Sequence, residues 1–204
     1  MKYSVIIILS LFLFGNSAAQ NKWLFSMGAG VISPAFLIDT PLGYQIEGRI
    51  FYGLSDSLQL SISTGFNQWE ESLGFGGNKF KSFPLLAGIK YSIPIGLFAP
   101  YFAGELGAHF ITRSYIFESY EPSTHFPGLY RLVLSKPESE SVVKFAVRFS
   151  IGSTLSIYND LDIDFAIRYN SINYDFIYVF VPSHQMSSGK LDFYSFLIGF
   201  NYKI

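Results

Sequence analysis

The chain of 204 residues contains no cysteine. This absence excludes disulfide bonds, thiolate metal sites and thiol nucleophiles, and it also excludes a lipid-modified N-terminal cysteine. The fold must therefore be held by hydrogen bonding and side-chain packing alone.

The sequence is also poor in charge and rich in aromatic residues. Only 14% of its residues are charged, against roughly 25% in an ordinary soluble domain. The 14 basic and 15 acidic residues leave a net charge of −1, so nucleic acid is not an expected partner. Half of the residues are hydrophobic, and 22 Phe and 14 Tyr are among them. Something other than water must cover this apolar surface.

The N-terminus has the features of a cleavable export signal. Lys2 supplies the positive charge, Val5 begins an apolar run that ends at Phe14, and the small residues around Ala19 fit signal peptidase. The run is shorter than the roughly 18 residues that a transmembrane helix needs. We expect a signal peptide over 1–19 and a single mature domain over 20–204. The mature chain has no other helix-length apolar run, so it would cross a membrane with strands.

From Trp23 onward, apolar residues alternate with small or polar ones at the period of two that β-strands show. Eight segments follow this pattern, and no long stretch shows a helical period. In the last segment, one face is formed by Phe196, Ile198, Phe200, Tyr202 and Ile204. All of the charge in the eight segments lies on the other face. The pattern predicts an all-β fold of about eight antiparallel strands.

The connectors between these segments alternate in length. Residues 53–57, 94–99 and 158–160 are short and rich in turn formers, whereas longer connectors lie near residues 33–42, 69–82, 112–141 and 171–190. This alternation is typical of an up-and-down transmembrane barrel, in which short turns face the periplasm and long loops face outward.

Alternation alone leaves open whether the apolar face points to lipid or into the cavity of a soluble lipocalin-like binder. The other face carries few charges and many small residues, including Gly28, Ser63, Gly88 and Gly152. Small side chains suit the narrow interior of a barrel of about eight strands. We therefore expect the apolar face outside, with aromatic girdles at the two membrane interfaces.

The predicted interior contains both signs of charge. Its acidic members are Glu47, Glu105, Asp162 and Asp164, and its basic members are Arg49, Lys90, Lys144, Arg148, Arg168 and Lys203. Charges in a confined interior must be paired, because an unpaired one costs several kcal/mol. We expect a packed, non-conducting network, with His109 as a hydrogen-bonding member. The alternative is a small porin with an ion or proton path.

Two segments carry a resemblance to a known family: Pro100-Tyr101-Phe102-Ala103-Gly104-Glu105-Leu106-Gly107, and the closing strand from Phe196 to Ile204. With its signal peptide, the chain resembles the small outer-membrane β-barrels of the OmpA and OmpX types, especially those of Bacteroidetes-like bacteria. The resemblance implies an outer-membrane location, contact with outer-membrane lipid, and recognition of the last strand by the barrel-assembly machinery. That assembly signal would be formed by Phe200, Tyr202 and Ile204. The last strand in the family ends in an aromatic residue, whereas here it ends in Ile204.

The same family includes anchors, adhesins, weak pores and secretion accessories, so the resemblance specifies architecture better than function. Some outer-membrane barrels modify lipid with a Ser and a His, but no Ser-x-His or His-x-Ser step occurs on the apolar face of this chain. We expect no enzymatic activity, no cofactor and no metal site.

Two strand-like stretches lie inside the predicted outer connectors, at residues 129–134 and 176–181. They could extend barrel strands beyond the membrane or pair as a hairpin. They could also offer an exposed edge to a protein partner. The sequence leaves both interpretations open.

Overall fold

The computed structural model describes residues 23–35, 42–72, 76–122, 130–134, 138–180 and 185–204. The predicted signal peptide lies outside these residues. Nine strands are present in this part of the chain: β1 (Trp23–Pro34), β2 (Gly43–Gly53), β3 (Leu58–Ser72), β4 (Gly76–Ser92), β5 (Phe98–Pro122), β6 (Tyr130–Leu134), β7 (Glu138–Tyr158), β8 (Leu161–Phe180) and β9 (Gln185–Lys203). No helix among these residues is long and apolar enough to cross a bilayer.

Eight of the strands form one closed antiparallel barrel. Each barrel strand pairs with the next along the chain, β5 pairs with β7, and β1 pairs with β9 to close the ring. The short strand β6 stands apart from the barrel and pairs with the end of β5. The predicted all-β, up-and-down barrel of about eight strands is confirmed.

The period of two assigns each side chain to a face, as the sequence predicted. In β1, Phe25 and Met27 are exposed on the outside, whereas Leu24 and Ser26 are buried inside. The same alternation holds in the other barrel strands wherever their side chains are described. The outer surface is therefore a continuous apolar band, which lipid must cover in place of water.

Small residues on the inner face let neighbouring side chains cross the narrow lumen. At Gly152, a Cβ would lie 2.5 Å from the hydroxyl oxygen of Tyr101. At the periplasmic end, Gly96 has a φ of 62°, which residues with a Cβ rarely adopt, and it makes the tight turn between Ile95 and Phe98.

The long connectors are shorter than the sequence predicted, because strand pairing continues into them. β3 and β4 pair as far as Ser72 and Gly77, so most of the connector predicted near residues 69–82 is strand. β8 and β9 likewise pair as far as Phe180 and Gln185. Strand pairing therefore continues where the sequence is more polar, and the change in composition does not mark the end of the strands.

The strands rise to unequal heights at the outer end. β1 and β2 pair only as far as Ile32 and Gly43, and β7 and β8 separate beyond Ala146 and Ile172. Above that point the wall splits into two parts. The first, which we call the β5 extension, contains β5 with β4, β6 and β7; the second, the β8–β9 extension, is a two-stranded ribbon.

Candidate functional site

The middle of the lumen contains a cluster of ion pairs centred on Glu47. Its Oε2 atom accepts from Arg148 Nη1 at 2.5 Å and from Arg168 Nη1 at 2.8 Å, and Arg49 Nε lies 3.0 Å from Oε1. Glu47 lies on β2 and the partners Arg148 and Arg168 lie on β7 and β8, so these bonds cross the interior. The four side chains are at most 5% exposed.

Two further carboxylates complete this cluster. Arg49 Nη2 lies 2.5 Å from Asp164 Oδ2, and Arg148 Nη1 lies 3.2 Å from Glu105 Oε2. Arg148 also donates from Nε to Asn170 Oδ1 at 2.8 Å. Three arginines thus face three carboxylates, which is the balance that a low-dielectric interior requires.

Lys90 lies beside the cluster and contacts aromatic rings. Its Nζ atom is 4.0 Å from the centre of the Tyr101 ring and 5.0 Å from that of Phe51. Ring faces are negative, so these cation–π contacts stabilise a buried ammonium.

Four other predicted lumen residues, Asp162, Lys203, Lys144 and His109, lie away from the cluster. Asp162 lies at the periplasmic mouth, where it binds Lys203 Nζ at 2.8 Å and Ser156 Oγ at 2.7 Å. Lys144 lies toward the outer end, with its Nζ 5.5 Å from the centre of the Tyr174 ring. His109 is the cross-strand partner of Lys144 and also lies toward the outer end.

His109 forms a small hydrogen-bonded chain inside the outer half of the barrel. Its Nδ1 is 2.9 Å from Ser82 Oγ, which also accepts from Asn67 Nδ2 at 3.2 Å. A serine beside a histidine is the start of a nucleophilic site. Here His109 is fully buried, and no described residue bonds to its Nε2 to orient it. The pair therefore lacks both the access and the third group that such a site uses.

An aromatic cap, which was not predicted from the sequence, closes the lumen above His109. Trp69 and Phe80 stack at 5.2 Å with an angle of 10° between their planes, and Phe193 packs on Trp69 at 5.2 Å. All three are at most 1% exposed. Trp69 and Phe80 lie in a stretch predicted as a connector. The signal that could have found them is the period of two, which continues from β3 through Asn67 and Trp69.

The lumen thus contains two layers of different chemistry. In the outer half, an apolar cluster lies over the hydrogen-bonded chain of His109, Ser82 and Asn67. Paired charges fill the middle. Among the described residues, no group of three His, Asp or Glu side chains is placed to hold a metal ion.

The residues of the predicted assembly signal all lie on the outer face of the last strand or just beyond it. Phe200, Tyr202 and Ile204 are exposed, and the amide of Ile204 donates to the carbonyl of Trp23 at 2.9 Å. Their recognition by assembly machinery stays a prediction.

Comparison of the sequence with known protein families and with curated proteins gives no match. The fold does match solved structures. Surface protein A of Neisseria superposes with a TM-score of 0.54 at 13% identity, over 90% of this chain and 97% of that one. The attachment invasion locus protein of Yersinia pestis gives 0.53 at 14% identity, over 91% and 100%. A major outer-membrane protein of Thermus thermophilus gives 0.52 at 13% identity, over 89% and 99%.

At sequence identities of 13–14%, the structural similarity shows the fold alone. It agrees with the closed ring of eight strands and the apolar outer surface, and it supports the location expected from the sequence. The chain has the fold of the small eight-stranded outer-membrane β-barrels.

Proposed function

We propose that the protein is a non-enzymatic, non-conducting outer-membrane barrel that presents its outer β-extensions to another macromolecule. The observation that carries the proposal is the height of strands β5, β7, β8 and β9, which continue well beyond the level where the ring of eight strands ends. A barrel that served only as an anchor would not need this paired chain outside the membrane.

Within the described part of the chain, the extensions have unpaired strand edges. The first strand-like stretch predicted from the sequence, residues 129–134, corresponds to the short strand β6, which pairs with Glu118–Pro122 of β5. Its first residue, Leu129, lies outside the described residues. In the second predicted stretch, residues 176–181, the first five residues continue β8 and pair with β9. The last, Val181, lies outside the described residues. Beyond Ile172, β8 pairs with β9 and no longer with β7 among the described residues. Free edges can bind an extended segment of a partner through main-chain hydrogen bonds.

The filled lumen supports the non-conducting part of the proposal. An ion would have to pass both the cap of Trp69, Phe80 and Phe193 and the ion pairs around Glu47. The buried position of His109 argues against lipid chemistry of the Ser and His type, since a substrate in the outer leaflet would not reach it.

Shortening the extensions tests the proposal. In the trimmed protein, residues 126–137 and 175–186 would each be replaced by a short turn. Cells that display the intact or the trimmed protein would be tested for adhesion to immobilised surface macromolecules. We expect the trimmed barrel to fold and to keep its heat-modifiable mobility on gels, but to lose adhesion. Planar-bilayer recordings should show no steady channel for either form. Steady ion-selective channels that change with Arg148 or Glu105, together with unaltered adhesion after trimming, would establish a small porin instead.

A further inference from the structure

A shallow apolar groove of about 560 Å³ runs across the outer surface of β1, β9, β8 and β7. Two rows of outward side chains form its walls. Val31, Phe196, Ile167 and Ile151 are paired across the strands in the upper row, and Ala29, Ile198 and Phe165 in the lower row. The groove faces the membrane, so the only solvent that reaches it is hydrocarbon.

A carboxylate lies above the groove on the same outer face. Asp192 of β9 accepts from the Tyr169 hydroxyl and the Ser171 hydroxyl, both at 2.8 Å. Its side chain points outward, because Phe193, the next residue, packs inside the lumen. The carboxylate is thus held in a fixed position at the outer margin of the apolar band.

Asp192 has no cationic partner among the described side chains. It is 7% exposed, and two hydroxyls do not neutralise its charge. A carboxylate has about four acceptor positions, so those that remain can bind a donor from outside the protein. A charge that is largely removed from water is costly until it is paired.

The spacing between the carboxylate and the groove matches a membrane lipid. Asp192 and Phe196 are four residues apart on β9, which corresponds to about 13 Å along a strand. Half of the hydrocarbon core is about 15 Å thick. A lipid whose headgroup lies at Asp192 therefore has its acyl chain at the depth of the groove. Between the two lie Tyr169 and Tyr194, whose ring centres are 5.3 Å apart.

We propose that this face is a lipid-binding site, in which Asp192 binds the ammonium group of a lipid headgroup and the groove holds one of its acyl chains. The charge of Asp192 requires a cationic group, and the apolar groove requires a chain attached to it. The site rests on the membrane location of the barrel and not on the role of its outer extensions.

Native mass spectrometry of the barrel released from nanodiscs tests this site. The nanodiscs would contain phosphatidylethanolamine and phosphatidylglycerol with the same acyl chains, so that only the headgroup differs. We expect the wild-type barrel to retain one phosphatidylethanolamine molecule in preference to phosphatidylglycerol. Asp192→Asn should reduce that preference about tenfold, as expected for the loss of a charged hydrogen bond. Asp160→Asn, in an exposed periplasmic turn, is the matched control and should leave the preference unchanged.

A second pair of variants tests the groove. Ala29→Phe fills it with a ring and should reduce retention of both lipids, whereas Ala87→Phe adds the same ring to the outer face of β4 and should not. Equal retention of the two lipids by the wild type, or equal effects of Ala29→Phe and Ala87→Phe, would overturn the proposal. So would retention that is abolished by a chelator, because a bridging divalent cation would then be the ligand of Asp192. In each case the barrel would still be recovered from the nanodisc, whereas a protein that never inserts would refute the membrane location itself.

Discussion

Neutralising Glu47 is the sharpest test of how the interior is stabilised. In Glu47→Gln the carboxylate is replaced by an amide of nearly the same shape. The guanidinium groups of Arg148, Arg168 and Arg49, which lie 2.5 to 3.0 Å from the carboxylate, then lose their shared anion. Removing one partner of a buried ion pair destabilises a protein by about 3–5 kcal/mol. We expect a loss of that size in the free energy of unfolding.

The measurement is urea unfolding of the barrel in lipid vesicles. The folded fraction at each urea concentration is read from the gel mobility of the unheated protein. The matched control is Glu70→Gln. Glu70 also binds a cation, Lys79, at 2.9 Å, but the side chains are 57% and 42% exposed. This hydrogen bond raises the pKa of Lys79, yet water screens exposed pairs and their contribution to stability is small. The urea midpoint of the control should therefore stay close to that of the wild type.

A double variant separates charge imbalance from lost packing. Arg168 donates from Nη1 to Glu47, while its Nε and Nη2 have no hydrogen-bond partner among the described residues. Adding Arg168→Gln to Glu47→Gln removes one surplus cation and should recover part of the lost stability, a coupling that a double-mutant cycle measures. If Glu47→Gln unfolded at the same urea concentration as Glu70→Gln, the idea that paired charges hold the lumen together would be refuted.

Three further predictions concern the faces of the barrel and its cap. Ile62→Lys places a cation against hydrocarbon and should lower the free energy of unfolding in urea by about 2–4 kcal/mol. Thr154→Lys places a cation in the lumen opposite Asp164 and should lower it less. The reverse order would mean that the faces are inverted. Gly152→Val inserts atoms where the Tyr101 ring lies and should lower the yield of heat-modifiable barrel. Trp69→Ala removes a fully buried ring and should cost about 3–5 kcal/mol, while planar-bilayer recordings should still show no channel because the ion pairs remain.

The two-faced strands could be predicted from the sequence because their cause is local. Successive side chains of a strand point to opposite sides, so Phe25 and Ser26 are assigned to different faces as soon as the strand is recognised. The choice between lipid and cavity followed from side-chain size, because an interior of eight strands has room for Gly152 and Ser63 but not for a second apolar layer. Both inferences need only neighbours in the chain.

The pairings inside the lumen could not be predicted in the same way. Glu47 and Arg148 are 101 residues apart, and only the closure and tilt of the barrel determine that they meet while Lys144 lies elsewhere. The same holds for the cap: Phe193 reaches Trp69 because β9 closes the ring against β1, and no spacing along the sequence encodes that contact. The height of the extensions was also decided by pairing between strands, which continued past the point where the composition becomes polar.

The sequence by itself therefore determined the architecture, the apolar exterior and the set of charges inside, since alternation, side-chain size and turn residues act over a few positions. The tertiary structure decided which charges pair, that an aromatic cap lies above them, and that Asp192 lies over an apolar groove. These contacts join strands that are distant in the chain, and their geometry depends on the register and closure of the whole ring.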